Sequence, residues 1–265
     1  GSRKNESLFT GVITLAGSNI TIDGIALTKT GQINSDTAAI IKNVTLQNIY
    51  AYNIDSDSVW TDAARDYDQK FVMNLVTNTY GNIDNIKFIN NKFSVKEGGI
   101  KLGRVDNITV SGNSFLNFEV AGIRVEGGYN SGTFNFDNNK FVNDTVKGHI
   151  AIYFNSYGGN GTSITVKITN NTFKNIGTST GTYTGAIGAK SYQENGASWI
   201  IEGNTFENCY NGMKIRNNAT STNHTKYPWT LKASNNTFIG VPEGVYYMAR
   251  VNASDSATTN PPVAV

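Results

Sequence analysis

The chain has 265 residues, a formal net charge of +2 and only 16% charged residues, a balance that excludes the basic field of a nucleic-acid binder. Its single cysteine, Cys209, excludes an internal disulfide and reads as a small buried apolar residue. No apolar run approaches the roughly 18 residues of a membrane span.

In chain order, residues 1–10 read as a frayed N-terminal segment beginning with a Gly1-Ser2 tag. Gly11 to Leu15 alternates like a strand. Ser18 to Leu27 alternates again around a turn at Asp23-Gly24. Asn43-Val44-Thr45-Leu46-Gln47-Asn48-Ile49-Tyr50 has the same form and reads as a unit one residue shorter than those that follow. Residues 53–70 form an insertion rich in acid, with Asp55, Asp57, Asp62, Asp66 and Asp68 beside Trp60 and Tyr67.

From residue 86 the pattern becomes strict. Asn-x-Phe occurs at Asn91, Asn113, Asn139, Asn171, Asn204 and Asn236, and an apolar residue stands five positions earlier in every copy: Ile86, Ile108, Phe134, Val166, Trp199 and Leu231. A second short strand lies between copies, often after Gly, as in Gly99-Ile100-Lys101-Leu102 and Gly122-Ile123-Arg124-Val125. Each unit therefore reads as strand, short turn, strand, Asn turn, Phe strand, variable loop. The 36 Asn and 27 Gly fit this reading, because both tolerate the left-handed backbone of tight turns. A second insertion covers residues 217–228. The tail from 251 to 265, ending Asn260-Pro261-Pro262, reads as a linker to another domain.

A residue that recurs once per unit at fixed phase stacks on its own copy, about 4.8 Å away, when each unit is one coil of a solenoid. The expectation is an all-β, right-handed parallel β-helix of about eight coils with an Asn ladder, spanning residues 11–250. On these residues the chain resembles the pectate-lyase-like β-helix superfamily, whose coils place an Asn ladder at a tight turn. The superfamily includes lyases, glycosidases, tailspikes and adhesins, so the resemblance implies the fold more than any one activity.

In resembling enzymes the substrate lies along the strand that precedes the Asn-bearing one. With Ile100, Ile123, Ile150, Ile187, Met213 and Val245 pointing inward, the outward column reads Lys101, Arg124, Ala151, Gly188, Lys214 and Tyr246, preceded by Asn74. Two residues on, a second column reads Gly103, Glu126, Tyr153, Lys190, Arg216 and Met248. Cations suit the carboxylate or sulfate of an acidic polysaccharide, and tyrosines stack on sugar rings. Lys101, Arg124, Glu126, Tyr153, Lys190, Lys214, Arg216 and Tyr246 are therefore the candidate glycan-binding residues.

Two classes of function follow. One is a carbohydrate-binding or adhesive module of a secreted or cell-surface protein, partnered by a polysaccharide or surface glycan and, at its coil ends, by other domains of the same chain. The other is a polysaccharide lyase acting by β-elimination, in which Lys101, Arg124 and Tyr153 take the base, neutralising and acid roles. The stretch from Gly98 through Val125 looks like the alginate- and chondroitin-cleaving lyases of polysaccharide lyase family six. Their catalytic Arg position falls on Gly103, with Arg104 one residue late, and the preceding coil offers Thr77 and Asn78 in place of Lys. No catalytic residue is carried over. A glycosidase needs two carboxylates, and Glu126 is the acid on this face, with Glu97 and Glu119 in adjoining loops. In the insertion, Asp55, Asp57, Asp66 and Asp68 can supply oxygen ligands to Ca²⁺. His149 and His224 stand apart with no metal or triad spacing.

Overall fold

The computed structural model describes residues 7–54, 71–96, 98–128, 130–147, 150–157, 164–177, 185–191, 197–217 and 229–249. All regular structure among them is β, and no helix is present that is long and apolar enough to cross a membrane. The strands form three sheets of nine, nine and eight strands. The chain visits the first, second and third sheet in turn, and each strand pairs in parallel with its counterparts one coil earlier and later. The molecule is a right-handed parallel β-helix, with eight full coils and two strands of a ninth among the described residues.

Strand alternation sets the core. In the third sheet Val44, Ile86, Ile108, Phe134, Val166 and Trp199 stand in one register column, and all are buried. In the first sheet the Phe of each repeat points inward. Phe93, Phe115, Phe141, Phe173, Phe206 and Phe238 stack nearly parallel, with centroids 4.8, 4.7, 5.1, 4.9 and 4.9 Å apart. This stack explains the Gly at 99, 122 and 212, one residue before an inward residue of the second sheet. A Cβ on Gly122 would meet the Phe141 ring at 2.7 Å and the Ala151 carbonyl oxygen at 2.8 Å. In other coils the buried Val72, Ala151 and Ala186 hold this place.

The repeated Asn is buried and ties the coils together. Each Oδ1 accepts from the backbone N–H and the Nδ2 of the Asn one coil earlier, at 2.8–3.0 Å, from Asn113 through Asn236. Each Nδ2 also donates to a carbonyl of the previous coil, as Asn139 does to Val110 O at 2.9 Å. Buried amides are tolerated because their polar groups find partners in this way. The preceding residue makes the turn. Asn90, Asn138, Asn170 and Asn235 take φ of 54°, 53°, 56° and 55°, and Gly112 and Gly203 fill the same place.

The early unit is corrected by this register. Residues 43–50 are not one residue short. Asn48, with φ 54°, occupies the turn position, and Ile49 and Ala51 replace the ladder Asn and the Phe. The ladder thus starts at Asn91, whose Oδ1 accepts from Ile49 N.

Candidate functional site

The outward face of the second sheet gathers four of the candidate residues. Lys101 and Arg124 are register neighbours on consecutive coils, and Glu126 lies two residues beyond Arg124 on the same face. The Glu126 carboxylate is ion-paired with both cations. Lys101 Nζ lies 3.3 Å from Oε2, and Arg124 contacts Oε1 through Nη2. The three side chains are only 16%, 9% and 15% exposed, so the group is drawn largely out of water, where charge pairing is stronger than at an open surface.

Tyr153 belongs beside them, for a reason the sequence pattern concealed. Ile123 pairs with Ile152, not Ile150, so the expected register of this coil is two residues off. Tyr153, not Ala151, continues the Lys101–Arg124 column, and Asn155 stands beside Glu126. The Arg124 guanidinium carbon lies 5.8 Å from the Tyr153 ring centroid, within cation–π range. Ala151 is buried and points at the Phe stack with Gly122. Tyr153 also packs on a small apolar cluster of Phe71, Val120, Ala121 and Ile150.

Further along, the column continues through Gly188, Lys214 and Tyr246. Lys214 therefore stands two rungs from Tyr153, about 10 Å away along the axis. Lys190 and Arg216 are register partners in the second column. The side chains of Lys190, Arg216 and Tyr246 lie outside the described residues, as do Asp55, Asp57, Asp66, Asp68, Glu97, His149 and His224. Among the described residues no group of three His, Cys, Asp or Glu is placed to hold a metal ion.

In the other direction the column runs to Asn74 and Asn34, which are register partners. Each keeps a buried Oδ1 with no hydrogen-bond partner. Asn34 was not expected at the site, since its unit lacks the strict repeat that phases the others. The Arg124-x-Glu126 spacing was legible, because residues two apart on a strand share a face. Arg104 has a structural place. It turns the chain with φ 57° and its guanidinium donates to Asn78 O on the previous coil. Thr77 is buried, with its hydroxyl donating to Thr37 O at 3.0 Å.

No protein-family model matches the chain, and no curated protein matches it. Among solved structures, a pectate lyase from Bacillus sp. N165 in complex with trigalacturonate is similar over 97% of this chain and 78% of that chain. The identity is 16% and the TM-score 0.28. So distant a likeness bears on no functional question, and the fold rests on the three parallel sheets themselves.

Proposed function

We propose that the chain is a carbohydrate-binding β-helix module of a secreted or cell-surface protein, and that the outward face of its second sheet holds an acidic glycan. The observation that supports this reading is the Lys101–Glu126–Arg124 group beside the Tyr153 ring. Two cations share one carboxylate, so the group keeps one positive charge for a uronate or sulfate. Tyr153 offers a ring face to a sugar. The group is better suited to binding than to turnover. Lys101, which the lyase reading casts as base, is engaged by the Glu126 carboxylate that also pairs with Arg124, which leaves it poorly placed to take a substrate proton.

The test is calorimetric titration of alginate, polygalacturonate and chondroitin sulfate, run beside an ultraviolet assay for unsaturated product. Binding without product is expected, weakened at least tenfold, about 1.4 kcal/mol, by Arg124→Ala and reduced by salt. Product that forms with the parent chain and vanishes in Lys101→Ala would establish the lyase reading in its place.

A further inference from the structure

The two ends of the solenoid complement each other. At the last coil the inward columns finish on Leu231, Ala233, Asn236, Phe238 and Val245, and a cavity of about 280 Å³ opens over Ala233, Asn236, Phe238 and Val245. Asn236 accepts from Asn204 and donates Nδ2 to Ile201 O, but among the described residues no further rung takes up its backbone N–H. The Phe stack ends on one open face of Phe238.

The first coil carries what the next rung requires. Through the registers of the strands Ser7–Phe9, Ile25–Lys29, Tyr50–Ile54 and Lys92–Ser94, Phe9 stands in the Phe column and Ser7 in the ladder column. Ile13 shares the column of Val245, and the third sheet, with eight described strands against nine in the others, takes no part in this rung. These inward residues of the first coil are part-exposed, with Phe9 39% exposed. Among the described residues the strand Ser7–Phe9 pairs on one side only, as does the strand Thr237–Ile239. Unpaired parallel edges of this kind are templates for another strand.

We propose that the chain associates end to end with a second copy of itself, the strands Ser7–Phe9 and Val12–Leu15 of one molecule adding as the next rung of the first and second sheets of another. Phe9 then stacks on Phe238, Ser7 offers its hydroxyl oxygen to the Asn236 N–H, and Ile13 meets Val245, while the third sheet, one described strand shorter, does not pair across the junction. The contact is heterologous, so it does not close on itself and builds linear chains. The repeat along the axis is about 43 Å, nine rungs of about 4.8 Å.

Two measurements test this on the 265-residue chain. In sedimentation velocity across a concentration series, multiples of 28.7 kDa are expected to grow with concentration, and Phe9→Glu is expected to return the monomer. In the proposed register Leu8 and Thr237 face outward on adjacent strands, close enough for a disulfide. Leu8→Cys mixed with Thr237→Cys should therefore oxidise to a dimer containing one of each, and the double variant to a ladder of multiples. Buried Cys209 stays out of this chemistry. A monomer at every concentration overturns the proposal, and so does linkage of Leu8→Cys only to itself, which would mark a head-to-head pair.

Discussion

Asn139 sits at the centre of the ladder and serves four bonds. It accepts from Asn113 N and Nδ2, and donates to Asn171 Oδ1 and Val110 O. Asn139→Ala leaves at least two buried groups without partners, and each such group costs about 1–3 kcal/mol. A loss of about 3 kcal/mol in urea unfolding is expected, against about 1 kcal/mol for Asn236→Ala at the part-buried last rung. Cys209 makes a second prediction. Burial pushes its thiol from an ordinary value of 9.0 up to about 11, partly offset by backbone hydrogen bonds at Ile176 and Glu207. A group whose folded pKa is raised contributes its stability below the unfolded value and loses it as pH rises through the folded one. Unfolding free energy should therefore fall by on the order of 2–3 kcal/mol between about pH 9 and 11, a slope that Cys209→Ala removes. The buried Asn was legible in sequence because its recurrence admits one phase. The turn residue before it was not singled out, since Asn and Gly alternate there and only the backbone angle shows their common task.

Within one element, the Gly at 99, 122 and 212 of the second sheet links two sheets. Gly122 faces the Phe141 ring while its neighbour Arg124 faces out. Gly122→Ala forces a methyl into atoms 2.7 Å away and is expected to cost about 1–3 kcal/mol, read from the denaturation midpoint. Weakened binding is expected too, because the same strand carries Arg124 and Glu126. The strand pattern foretold which side chains turn outward, and it failed in one coil. Ile150-Ala151-Ile152 offers two apolar residues two apart, and alternation alone cannot say which of them continues the column. The pairing of Ile123 with Ile152 decided it and moved Tyr153 against Arg124.

For the whole molecule, a solenoid is stabilised by contacts between successive coils, so its ends should be the weakest part. Hydrogen exchange is expected to be slowest for the coils between Phe93 and Phe206, where every ring has two stacked neighbours or lies beside one that does, and fastest for residues 7–35 and 229–249. Glycan should slow exchange at residues 100–103 and 123–126, and self-association should slow it at both ends, so the two proposals leave different footprints. By itself the sequence determined the solenoid, its coil number, the buried Asn and Phe columns and the outward placing of Lys101, Arg124 and Glu126. A repeat at fixed phase can bury its amides and rings only by stacking them. The tertiary structure alone decided what long-range pairing decides: which residues meet across coils of unequal length, that Glu126 is ion-paired with both cations, and that Tyr153 adjoins Arg124. Coil lengths vary in the loops, and only the strand registers on either side of a loop show how many residues it absorbed.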